Sequence, residues 1–185
     1  MVRLFIALDF PEPVLDRLAE MARGLPGVRW MPREQLHLTL RFIGEIHREK
    51  FQDLREALEE VRFTEFSMRL EGVGRFGPRR APGVLFAGVP ENPELKELRR
   101  KVDQVLKEQG VVLEKRKFQP HVTLARPRHV SEERLREYME YYQDFRTESF
   151  PVREFILFSS KLREDGAVHE AECIYPGIPA DVSEG

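Results

Sequence analysis

The chain has one cysteine, Cys173, one tryptophan and almost no net charge. A single thiol excludes an internal disulfide framework, and its place beside Ile174 and Tyr175 reads as strand packing rather than chemistry. No apolar run nears the ~20 residues that a membrane-spanning helix needs, and no charged-then-apolar signal pattern opens the chain. The expectation is a cytoplasmic protein with no membrane partner. Thirty basic and 32 acidic residues leave a net charge of −2, so the overall field does not gather nucleic acid. Any site for a polyanion must come from a local cluster. What remains is 185 residues, 41% of them hydrophobic, which is enough for one ordinary domain or two small lobes on a shared core.

Periodicity divides the chain into alternating elements. The first strand is expected over Arg3 to Asp9, followed by a helix that starts at the Pro11-Glu12-Pro13 turn and ends near Gly24. From Leu36 to Phe42 apolar and polar residues alternate with period two, the mark of a half-buried strand. Leu36, Leu38, Leu40 and Phe42 should then face one way and His37, Thr39 and Arg41 the other. A helix over His47 to Val61 and a strand over Phe66 to Val73 follow. After a Gly/Pro-rich turn come a strand over Val84 to Val89 and a helix capped by Asn92-Pro93 that stops at Gly110. The pattern then repeats: a strand at His121 to Ala125, a helix capped by Ser131, a long strand from Phe150 to Phe158, and a last strand from Ala167 to Tyr175. The stretch after Pro176 reads as unstructured.

The order strand, helix, histidine-bearing strand, helix, strand therefore occurs twice. His37 and His121, Thr39 and Thr123, Phe66 and Phe150, and Arg69 and Arg153 are all 84 residues apart. An internal duplication predicts an α+β fold of two pseudo-symmetric lobes, each an antiparallel sheet with flanking helices, with a cleft between them. Residues 1–185 would form one domain of two intertwined lobes, with 176–185 as a flexible tail.

The strongest signal is the pair HLTL (His37 to Leu40) and HVTL (His121 to Leu124). With five His and four Thr in the chain, two His each followed at the second position by Thr arise by chance with a probability of roughly 0.005. Period two puts each His and its Thr on one strand face, about 6.6 Å apart, with Leu and Val anchoring from behind. Two such strands across an axis would present two imidazoles and two hydroxyls around one centre. Imidazole titrates near 6.5, so one copy can accept a proton while the other donates one. In-line hydrolysis of a cyclic phosphodiester needs such a pair, with hydroxyls to hold the non-bridging oxygens as charge grows on them. A zinc site is the competing chemistry, but two histidines fall short of the usual ligand number, so neither metal nor cofactor is expected. His47, His129 and His169 lie outside the repeat and read as surface residues.

Paired HxTL motifs at this separation, in a chain that opens with RLFIAL, resemble the 2H phosphoesterase superfamily, and within it the RNA 2′,3′-cyclic phosphodiesterases formerly called 2′-5′ RNA ligases. The resemblance covers roughly residues 2 to 175. It implies a monomeric enzyme that opens the cyclic phosphate of RNA ends to a 2′-phosphate, with His37 as proton donor and His121 as proton acceptor, and a possible reverse 2′-5′ ligation. The extended forms HLTLRF and HVTLAR further imply Phe42 as a base-stacking residue and Arg126 as a substrate contact. Simple alternation puts residues five positions on from each His on the opposite face, so a bulge would be needed; otherwise Phe42 is core packing and Arg126 a surface ion pair. Arg75, Arg79 and Arg80, or Lys115, Arg116 and Lys117, are further cations for an RNA backbone, or simply solvated loops. A 2H enzyme for another cyclic nucleotide phosphate or a 2′-5′ oligonucleotide, and a non-catalytic RNA-binding module, are the alternative functions.

Overall fold

The computed structural model describes residues 1–77 and 83–181. Strands β1 (Val2–Leu8), β2 (Val28–Trp30), β3 (Leu38–Ile46), β4 (Phe66–Met68), β5 (Val73–Phe76), β6 (Val84–Gly88), β7 (His121–Pro127), β8 (Phe150–Val152), β9 (Glu154–Arg163) and β10 (Gly166–Pro176) alternate with helices α1 (Glu12–Glu20), α2 (Arg48–Ala57), α3 (Pro93–Glu108) and α4 (Glu132–Tyr141). The main sheet runs β10-β9-β1-β3-β7-β6-β5 with β2 paired to β7, and β4 pairs β8 in a separate ribbon. The strand pairs within both sheets are antiparallel, so the fold is α+β as expected. No helix among the described residues is long and apolar enough to cross a membrane.

The helices form where capping and an apolar stripe coincide. The Asn92 side chain accepts from the Leu95 amide at 3.0 Å, Pro93 opens α3, and Leu95, Leu98, Val102, Val105 and Leu106 are buried. Ser131 caps α4 in the same way, which buries Leu135 and Tyr138.

Both long strands of the sequence reading are split. Phe66 to Val73 becomes β4 and β5 in different sheets, because the chain turns at Gly72, whose φ of +74° suits a residue without Cβ. Phe150 to Phe158 becomes β8 and β9. Pro151 has no amide hydrogen and so fits a two-stranded ribbon better than the interior of a sheet. The chain after Pro176 is not loose at its start: Gly177 donates to the Arg153 carbonyl, and Ile178 to that of Phe63, at 2.7 Å each.

A further departure lies in β3. Its register against β1 slips between Ile6 and Ala7, where Leu40 is the extra residue, and again between Leu4 and Phe5. The bulge at Leu40 exchanges the expected faces of the next two residues. Arg41 turns inward to 9% exposure and Phe42 outward to 66%. The bulged carbonyl of Leu40 accepts from Arg99 Nε at 3.2 Å, so the lost ladder bond is replaced from α3. Inside, the Arg41 guanidinium holds both oxygens of Asp103, at 2.8 and 2.6 Å, and the Glu114 carbonyl at 3.1 Å. It thereby ties β3 to α3 and to the loop that leads into β7.

Removing one partner of this buried, bidentate pair leaves an uncompensated charge. Asp103→Ala should lower unfolding free energy by about 3–5 kcal/mol in urea titrations, more than the double replacement Arg41→Met with Asp103→Leu. A loss below about 1 kcal/mol, the level of an exposed pair, would show that the pair is not structural.

Candidate active site

The two halves of the main sheet meet at one register pair, Leu38 opposite Val122. These positions are 84 residues apart, the repeat offset, so each is the other's equivalent. The β4–β8 ribbon is centred on Ser67 opposite Pro151, again 84 apart. A pseudo-two-fold relation passes through both. Leu38 and Val122 are fully buried, so their neighbours His37, Thr39, His121 and Thr123 point to the other face of the sheet. Run one residue either way, the antiparallel register sets Thr39 beside His121 and His37 beside Thr123. The structure thus brings together the four residues of the paired motifs. Each is half-buried, and neither threonine hydroxyl hydrogen-bonds to another described group.

The surroundings of the two histidines differ. The ring of His37 lies stacked against Phe5 at 5.1 Å and Phe158 at 5.9 Å, with the edge of His169 at 5.6 Å. Burial in this aromatic cage, and secondarily the charge of His169, lowers its pKa from 6.5 to about 4. His169, read from the sequence as a surface residue, is instead a wall of the cage. It sits opposite Ser160 on β10, with its ring 4.9 Å from Phe5. Its Nδ1 is buried without a hydrogen-bond partner, and its own pKa is lowered by burial.

His121 is held by its backbone as well as by rings. Its Nδ1 lies 2.7 Å from the Gln119 carbonyl. A carbonyl only accepts, so Nδ1 carries the hydrogen and Nε2 is left with the lone pair when the ring is neutral. Phe76 and Phe86 stack on each other at 4.2 Å and present edges to His121 at 4.9 and 5.6 Å. Gly74 makes this possible, because a Cβ there would come within 2.5 Å of the Phe86 ring.

Phe42 and Arg126 both reach the motif face. Phe42 pairs with Phe5 and its ring lies 5.9 Å from that of Phe5, on the His37 side. In β7 the register slips between Leu85 and Phe86, with Leu124 as the extra residue, so the second motif carries a bulge at its Leu too. The Leu124 carbonyl accepts from the Met31 amide at 2.8 Å. Ala125 turns to the core and Arg126 outward. The other cations are not at the histidines' centre. Arg75 pairs with Glu132, Arg79 and Arg80 lie outside the described residues, and Lys115, Arg116 and Lys117 line a surface hollow with Arg41 and Lys107.

Two half-sheets that each turn a His and a Thr to one face of the sheet are the arrangement expected of a two-histidine phosphoesterase. The chain belongs to the LigT-like phosphoesterase family, whose model matches it twice, over residues 8–86 and 88–169, once in each half. An RNA 2′,3′-cyclic phosphodiesterase of Archaeoglobus fulgidus is 33% identical over 91% of this chain and 97% of its own. One from Thermotoga maritima is 33% identical over 95% and 97%. Among solved structures, TT0787 of Thermus thermophilus superposes with a TM-score of 0.76 at 28% identity, over 94% of this chain and 97% of that one. The apo form of LigT from E. coli gives 0.79 at 24% identity, over 96% and 98%, and shows the same fold.

Folding holds His37 neutral below its ordinary 6.5, so the folded state binds fewer protons than the unfolded one. The stability this contributes is complete above pH 6.5 and is lost as pH falls from there through about 4. Urea unfolding above 6.5 and near 4 should show that loss in the wild type and a smaller one in His37→Gln. NMR titration should place the His37 imidazole near 4 and move it upward in His169→Asn. Titration of His37 at 6.5 or above would refute the cage as its cause.

Proposed function

We propose that the protein hydrolyses the 2′,3′-cyclic phosphate at RNA ends to a 2′-phosphomonoester, with His37 and His121 as acid and base. The observation that carries this reading is the Leu38–Val122 pair, which sets two His–Thr pairs head to tail on one face. A phosphate on that face would meet one imidazole from each side and a threonine hydroxyl beside each. His121 Nε2 takes a proton from water as the water oxygen bonds to phosphorus. The bond from phosphorus to O3′ breaks, and protonated His37 gives its proton to the departing O3′. Thr39 and Thr123 donate to the non-bridging oxygens, where charge grows in the transition state. No step uses a metal. Proton exchange with solvent then resets both rings.

The fixed tautomer of His121 suits it as the base. The assignment of His37 as acid follows the family, and burial gives it a condition: charging this ring is costly until an anion lies against it. The substrate's phosphate supplies that anion. His37 then becomes protonated chiefly in the complex, which keeps the acid uncharged in the empty cleft.

Purified protein in EDTA should convert a cyclic-phosphate RNA end to the 2′-phosphate, with a bell-shaped dependence of kcat/KM on pH. His37→Ala and His121→Ala should each lower kcat by about 10²–10⁴, and Thr39→Val or Thr123→Val by about 10², with folding retained by circular dichroism. Complete loss of activity in chelator, or a near-normal rate in either histidine variant, would sink the mechanism. RNA binding without turnover would identify a binding module, and a 3′-phosphate product would reverse the choice of leaving oxygen.

A further inference from the structure

The carbonyl that holds His121 belongs to a stretch of chain with little backbone order of its own. Outside the strand ladders, residues 112–120 make no backbone-to-backbone hydrogen bond among the described residues, and Gln119 itself is exposed. Pro120 restricts Gln119 to extended backbone but has no amide hydrogen with which to bond a neighbour. The 2.7 Å contact from the Gln119 carbonyl to His121 Nδ1 therefore needs an anchor close by.

The residue before Gln119 supplies one. Phe118 packs against the main core, and Arg99 of α3 lays its guanidinium over the ring, with Cζ 4.4 Å from the centroid. A cation attracts an aromatic face most when water is kept away, and the Arg99 side chain is only 17% exposed. The guanidinium is tied at its other side. Its Nε donates to the Leu40 carbonyl at 3.2 Å, and its Nη1 lies 3.8 Å from Asp103, the carboxylate that Arg41 also holds. Leu40 is the bulged residue directly after Thr39, and Phe118 is the third residue before His121. One guanidinium thus spans from the strand of the first motif to the segment that enters the second. An apolar side chain could fill the same space against Phe118, but it would leave the bulged carbonyl without its donor.

We propose that Arg99 is a positioning residue for the base: by joining the Leu40 carbonyl to the Phe118 ring, it keeps the Gln119 carbonyl on His121 Nδ1, so that Nε2 retains the lone pair. Which imidazole nitrogen carries the hydrogen is set by the bond that the other atoms around it offer, and here that bond is only as steady as the segment carrying Gln119. The inference rests on the reading of His121 as base and extends it to the group that fixes its tautomer.

The test reads the His121 tautomer by nitrogen-15 NMR at mildly alkaline pH, alongside kinetics on a cyclic-phosphate RNA end. The wild type should carry the hydrogen on Nδ1. Arg99→Met keeps an apolar stem but removes both the cation and the donor. It should spread the hydrogen over both nitrogens and lower kcat about tenfold, the scale of one net hydrogen bond, with KM within about twofold. Phe118→Leu keeps the Leu40 bond and the apolar packing, should shift the tautomer in the same direction, and decides the matter where Arg99→Met does not fold. Arg99→Lys, which keeps the charge without the planar fork, should recover part of the loss. Leu98→Ala, at a buried position of the same helix, should lower the melting temperature without moving the tautomer. An unchanged tautomer in both Arg99→Met and Phe118→Leu, or a moved tautomer with unchanged kcat, would overturn the proposal. So would an equal shift in Leu98→Ala, the mark of a merely structural role. If the tautomer moves as expected but the wild type turns over no cyclic substrate, the positioning of His121 stands and only the proposed reaction is refuted.

Discussion

The site depends on a single contact between strands, Leu38 against Val122. A β-sheet has a side-chain period of two, so a slip of one residue at this pair would send all four polar motif residues into the core and their apolar neighbours into the cleft. Both members are fully buried, and the cost of that slip fixes the register. Because each is the other's repeat equivalent, the constraint also sets the order of the groups. Antiparallel pairing through a self-equivalent point places unlike partners side by side, His with Thr, rather than His with His. Two hydroxyls and two imidazoles then alternate around one centre, the order that the proposed in-line displacement at phosphorus uses.

The bulges do the remaining positioning. Each motif's Leu is the extra residue, and each bulged carbonyl finds a donor outside the ladder, Arg99 Nε in one half and the Met31 amide in the other. The unpaired backbone group that a bulge creates is thus satisfied twice by different means. In the first half the bulge also turns Arg41 into the core, where Asp103 and the Glu114 carbonyl hold it. Glu114 belongs to the loop that ends at His121, so the anchor of the first histidine's strand also fastens the approach to the second.

Much of this was legible from the sequence. The duplicated HxTL pair, its strand setting and the antiparallel α+β fold follow from period-two alternation and a constant offset. The bulges were not, since they depend on which backbone groups find donors from distant elements; only the mismatch between Phe42's expected face and its resemblance to a stacking residue pointed to one. His169 was only partly legible. Asp165-Gly166 is a hairpin turn signal, but the turn falls at Glu164-Asp165 with Gly166 already opposite Arg163, so His169 lies opposite Ser160, two residues from the Leu162 that an Asp-Gly turn would give it. What the sequence does not carry is the neighbour across β1, because the β9–β1 pairing joins segments about 150 residues apart. The cage around His37 follows from that pairing, and with it the lowered pKa.

A duplicated site is symmetric, but a nucleotide is not, with a base on one side of its sugar and a phosphate link on the other. The fold breaks its own symmetry at the right level. At equivalent positions, 84 residues apart, one half presents the exposed ring of Phe42 and the other the guanidinium of Arg126. Among the described residues the β10 strand has no counterpart in the other half, and it brings His169 to one histidine only. As a result one imidazole is caged by rings and kept neutral, while the other is held through Nδ1 by a carbonyl. Duplication supplies two copies of the same chemistry, and the residues just outside the repeat's shared core give each copy a direction. In a site of this kind acid and base are set apart by environment rather than by residue type, so side chains that never touch phosphorus, such as Phe5, Phe158 and His169, have as much influence on the assignment as the histidines themselves.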